Sequence, residues 1–151
     1  MAKLPTPTAT FDDVNLLLRL YEMRREERMR QARHWFTANF AANTAAEFAR
    51  LCPPGSDENA SYRMVTSYWE MAASFVTAGV LNRELFFENT RELLLVYTRV
   101  ENLIEALREL YKDPFTLHNF ETVATEYIAW MDKRAPGSYE AFKGRVGRPS
   151  R

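Results

Sequence analysis

The chain has 151 residues, 46% of them hydrophobic and 26% charged, enough to bury a core without disulfides or metals, and its five glycines argue against a loop-rich or all-β design. Lysine plus arginine equals aspartate plus glutamate at 20 each, which excludes a global field for nucleic acid or an anionic membrane. The longest uncharged run, His34 to Ala46, falls well short of the roughly 20 residues of a membrane span.

Residues 1–10 carry prolines and no periodicity and are expected as a mobile N-terminal arm. Thr10 fits the N-cap of a first helix, with Asp12 and Asp13 where the helix dipole favours negative charge. No proline or glycine follows until well past Phe40, and a single helix of that length would run about 45 Å. Its first half is apolar nearly all round: Val14, Leu17, Leu18 and Tyr21 form one face, Leu16, Leu20 and Met23 the other. Its middle, Arg24 to Arg30, is polar nearly all round, and Glu26 with Arg30 makes an i,i+4 pair worth about 0.2–0.5 kcal/mol. Whether the helix is continuous there is left open by the pattern.

Thr44 and Glu47 have capping-box spacing for a short helix from Ala45 to Cys52, closed by Pro53-Pro54-Gly55. The stretch Ser61 to Gly79 is expected as the central helix. Tyr62, Val65, Trp69, Ala72 and Val76 form one apolar stripe; Met64, Tyr68, Met71 and Phe75 form a second beside it. Two stripes exceed the single one of a surface helix, so other helices should enclose it. Gly79 suits the left-handed turn that closes a helix.

Asn82 caps the next segment, expected as one helix from Arg83 to Tyr111. Phe86, Thr90, Leu93, Tyr97, Val100, Ile104, Leu107 and Tyr111 alternate at +4 and +3, while Arg99 lies away from that seam. Thr116 fits the cap of a helix from Leu117 to Lys133, and Ser138 that of a short last helix, Tyr139 to Lys143. The reading is all-α: an antiparallel bundle of four main helices plus one or two short ones, a single helical domain over residues 11–143, and a basic C-terminal tail over residues 144–151.

Chemistry is sparse. His34 and His118 have no metal-ligand spacing with another histidine or cysteine, and no phosphate-binding glycine loop or nucleophile elbow appears, so no catalytic, cofactor or metal site is assigned. Cys52 is the single cysteine, which excludes an internal disulfide. Glu70, in the narrow polar seam of the central helix, is the one carboxylate placed to serve as the polar group of an aromatic pocket, with Arg63 or Arg99 as alternative ion-pair partners. MAKLPTPTAT lacks the apolar core of a secretory signal, and a soluble cytoplasmic protein is expected.

YWEMAASFVTAGVLNRELFF (Tyr68 to Phe87), Leu103 to Arg108, DPFTLHNFETVA (Asp113 to Ala124) and IAWMDKRAPGSYEAF (Ile128 to Phe142) resemble a family of small uncharacterised bacterial all-helical proteins. That resemblance covers the last two thirds of the chain, implies an all-α fold and carries no activity. From the residues themselves the first expectation is a non-enzymatic scaffold that associates with itself or another protein through Leu16, Leu20 and Met23, the surplus apolar side of the first helix. Alternatives are a small-molecule or enzymatic pocket near Glu70, and weak nucleic-acid binding through the basic tail.

Overall fold

A computed structural model describes residues 7–149. Among these the helices are α1 (Phe11–Arg24), α2 (Glu27–Asn39), α3 (Ala45–Leu51), α4 (Asp57–Thr77), α5 (Arg83–Asn89), α6 (Glu92–Val100), α7 (Ile104–Tyr111), α8 (His118–Arg134) and α9 (Ser138–Val146). The all-α reading holds. The long helix expected from Arg83 to Tyr111 is instead broken into shorter ones, the first helix, whose continuity the pattern leaves open, is broken too, and six of the ten residues expected as a mobile arm lie outside the described range.

The first helix breaks at Arg25-Glu26. Glu26 turns its carboxylate onto the N–H groups of Arg28 and Met29, at 3.0 Å each, and so starts α2 as an N-cap. The carboxylate expected to pair with Arg30 therefore does backbone work, and those two hydrogen bonds hold it below the usual glutamate range. On the other side of the break Arg33 Nη1 donates to the Arg24 carbonyl at 3.3 Å, taking one of the orphan acceptors at the end of α1.

The expected helix from Arg83 to Tyr111 breaks twice. Thr90 donates its hydroxyl to the Phe86 carbonyl at 2.5 Å and leaves helical backbone at φ −131°, ending α5. After α6 the Leu103 N–H bonds the Val100 carbonyl at 2.8 Å, a tighter turn that resets the helix into α7. The apolar period survives both breaks because each is local, yet the seam is not straight: Leu94, Val96 and Leu103, off the expected stripe, are buried, and Tyr111, on it, is exposed.

The central helix behaves as its two stripes suggest. Tyr62, Val65, Trp69, Ala72 and Val76 are all buried, and of the second stripe Tyr68 is buried while Met64, Met71 and Phe75 are half-buried against the core. α4 packs on α2 along one side and α8 along another, and α6 packs against α8. Phe36 stacks on Phe40 with ring centres 4.7 Å apart, Phe40 on Tyr62 at 5.2 Å, which fills the start of the α2–α4 contact with aromatic area. Gly79 closes α4 at φ 77°, where a Cβ would be strained.

Two expectations about the end of the chain change. The last helix extends to Val146, so Gly144 to Val146 are helical, and the carbonyls of Val146 and Arg148 both accept from Arg99, at 2.7 Å each. Arg99 itself, expected away from the apolar seam of its helix, is buried.

Candidate functional site

α1 is where the apolar surface exceeds what the core accepts. Thr10 and Asp13 close a capping box at its start. Asp13 also accepts from the Asn82 N–H at 2.8 Å, which ties the start of α1 to the turn before α5. At the other end Arg24 Nη1 meets Glu92 Oε2 at 2.7 Å. Asp13, Leu16, Leu17, Leu20 and Arg24 lie along one side of the helix at i, i+3, i+4, i+7 and i+11, so the two polar tethers decide which apolar face turns inward.

The consequence reverses the expected faces. Leu20 is buried, its carbonyl accepting from the Tyr68 hydroxyl at 2.6 Å, and Leu16 is half-buried against the core; of the three residues expected on the surplus side Met23 alone is exposed. The side left outside is Phe11, Val14, Leu18 and Tyr21, between 40% and 77% exposed. These four stand at i, i+3, i+7 and i+10, the a/d spacing of a helix that pairs with another helix. A wheel shows two faces and cannot rank them; the signal available in the sequence was the pair Asp13 and Arg24 on one of them.

Asp13 carries a pH signature. Hydrogen bonds from the backbone of Thr10 and then of Asn82 lower its pKa below the ordinary aspartate value. A depressed pKa means the unfolded chain binds the extra proton first, so this contribution is present above the unfolded value and is lost as pH falls through the folded one. Denaturant unfolding followed through the acid range is expected to lose stability there, and Asp13→Asn to remove that part of the pH dependence.

Beside α1 lies a half-open groove of about 410 Å³, walled by Val14, Leu17, Leu18, Leu20, Tyr21 and Arg24 of α1, by Tyr68 and Trp69 of α4, and by Leu85, Asn89 and Thr90 at α5, so Val14, Leu18 and Tyr21 of the outer stripe also form its rim. Trp69 is buried, with Tyr68 edge-on at 4.9 Å, and its indole N–H has no acceptor among the described residues. Burial raises the Tyr68 phenol to about 12, so it stays a neutral donor. At one end of the groove Arg24 shares Glu92 with Arg33, whose Nε and Nη2 reach the two carboxylate oxygens at 2.7 and 2.9 Å.

Glu70 lies elsewhere. Its oxygens accept from the Asn119 N–H and Nδ2 at 3.1 Å each and from the Phe120 N–H at 2.6 Å. Leu117, the residue in the N-cap position of α8, sits in left-handed backbone at φ 55° with no side-chain cap, and Glu70 supplies from α4 the acceptor that an N-cap normally provides. Neither Arg63 nor Arg99 is its partner: Arg63 Nε donates to Asn59, and Arg99 to main-chain carbonyls. Cys52 is buried, its thiol pushed up to about 11 chiefly by desolvation, which suits a filler rather than a nucleophile.

The fold and this surface define an all-α domain in which, among the described residues, no helix is long and apolar enough to cross a membrane. Residues 9–130 match the family described as a domain of unknown function, DUF4760, and the chain belongs to it. That match takes in α1 and α2, which lie outside the stretches that carried the resemblance read from the sequence, and it ends at Trp130. No curated protein and no solved structure matches the chain.

Proposed function

We propose that this domain is a non-enzymatic helical scaffold that joins a second copy of itself through the outer stripe of α1. In this reading α1 with α2, α4, α5 through α7, and α8 stand as the four arms of an antiparallel bundle, and α1 is the arm that carries the contact. The observation that carries the proposal is the exposure of Phe11, Val14, Leu18 and Tyr21 at a/d spacing on a helix of 14 residues.

A second copy is favoured over an unlike partner by the charges around the stripe. Asp12, Arg19, Glu22 and Arg25 are all exposed and contribute two charges of each sign, and the chain's net charge is zero. Neither the rim nor the whole molecule therefore repels its own copy. An isolated helix this short is marginal in water. Here Asn82 and Glu92 hold it in place, which lowers the ordering cost of pairing.

Light scattering coupled to size exclusion tests this. The native chain is expected to run as a dimer, and Leu18→Asp as a monomer with pairing weakened about a hundredfold or more, because both copies lose a buried leucine. Leu18 is half exposed, so the variant keeps its fold by circular dichroism. A native chain that is monomeric at high concentration, or a dimer untouched by Leu18→Asp, sinks the proposal.

A further inference from the structure

The groove beside α1 shares Val14, Leu18 and Tyr21 with the stripe assigned to pairing, but it also holds a charged group that pairing of two copies does not use. Its volume, about 410 Å³, lies inside the range of roughly 300–1,000 Å³ of small-molecule sites, which share its mainly apolar walls with a few fixed polar groups. Among the described residues Arg24 is the one charged side chain that lines it.

Arg24 belongs to a cluster with a surplus positive charge. Two guanidinium groups, of Arg24 and Arg33, share the one carboxylate of Glu92, and their side chains are 18%, 25% and 15% exposed in that order. Partly desolvated guanidinium groups gain from each further carboxylate they pair with. Trp69 closes the floor with its ring, and its indole N–H is buried without an acceptor among the described residues, so it offers a ligand no polar contact and Arg24 is left as the charged anchor.

We propose that this groove binds a free single-chain carboxylic acid of the fatty-acid type. The alkyl chain lies against Leu17, Leu18 and Leu85, above the ring of Trp69, and the carboxylate pairs with Arg24, so that two guanidinium groups face two carboxylates. Binding is non-covalent. An uncharged alcohol of the same chain length gains the apolar contact alone, and a cationic amphiphile meets like charge at Arg24.

The chain has three tryptophans, so a Trp35→Phe/Trp130→Phe variant reports on Trp69 alone. It is titrated with decanoate, decanol and decyltrimethylammonium, each kept monomeric. Decanoate is expected to give a saturable change in Trp69 emission at an affinity about tenfold above decanol, as one charge-assisted pair implies. Decyltrimethylammonium is expected to give none. Arg24→Gln should bring decanoate down to the level of decanol and leave decanol unchanged. No saturable response to decanoate, an equal response to decyltrimethylammonium, or full decanoate affinity in Arg24→Gln overturns the inference.

Trp130 packs on Phe87 and Tyr127, and Trp35 on Phe40. If the double variant loses its fold, calorimetric titration of the native chain with the same three probes gives the same ranking. Light scattering before and after titration separates this inference from self-association: a chain that is monomeric before decanoate is added and then takes it supports one and sinks the other, and a dimer that ignores decanoate does the reverse.

Discussion

Replacing Arg99 with methionine is expected to lower stability by about 3 kcal/mol or more, read as a fall in urea midpoint at unchanged slope. Among the described residues the buried guanidinium has no carboxylate partner. Its Nη1 donates to the carbonyls of Thr37 at 3.2 Å and Phe40 at 3.1 Å, with Phe36 at the edge of range at 3.5 Å. Nε and Nη2 reach the carbonyls of Val146 and Arg148 at 2.7 Å each. Arg99 therefore gathers the carbonyl-rich ends of two helices, α2 and α9, where the helix dipole favours a cation. Burial lowers its pKa from the ordinary arginine value, but a guanidinium remains charged far above neutrality.

Methionine fills much of the volume and supplies no donor, so carbonyls at two helix ends are left unpaired at about 1–3 kcal/mol for each that water cannot reach. Arg99→Lys separates charge from geometry. A single ammonium cannot serve both helix ends as the planar fork does, and the lysine variant is expected to recover less than half the loss. A methionine variant within about 1 kcal/mol of the native chain would show that water replaces the guanidinium, and the account of this corner would fall.

Arg99 also marks where sequence reading stops. The Trp69 stripe was legible because apolar residues recurring at the helical period have few places to go but the core. An arginine beside an apolar seam reads as solvated, and its burial is decided by carbonyls from α2 and α9 that are distant in sequence. The roles of Glu26 and Glu70 are hidden for a different reason. Both act on backbone N–H groups, one on its own chain neighbours and one across the fold, and neither role leaves a pattern in side-chain spacing. In α1 both apolar faces were visible, but the orientation rests on Asp13 and Arg24 meeting Asn82 and Glu92, partners about seventy residues away. Of the candidate site, the surplus apolar surface was therefore legible, and the side that carries it was not.

Trp69 offers the second large effect, as a contrast between two substitutions. Trp69→Ala is expected to cost about 3–5 kcal/mol, since the side chain is 1% exposed and its loss opens a void continuous with the groove of about 410 Å³ beside α1. Trp69→Phe is expected to cost less than about 1.5 kcal/mol. Phenylalanine keeps most of the apolar area and the edge contact with Tyr68, and it deletes an indole N–H that has no acceptor among the described residues. Removing a buried unpaired donor returns part of what the smaller ring loses. The two variants thus separate packing from hydrogen bonding at the centre of α4. Should phenylalanine cost as much as alanine in urea unfolding, the indole nitrogen has a partner after all, such as a water held in the groove, and the floor of that groove is polar rather than dry.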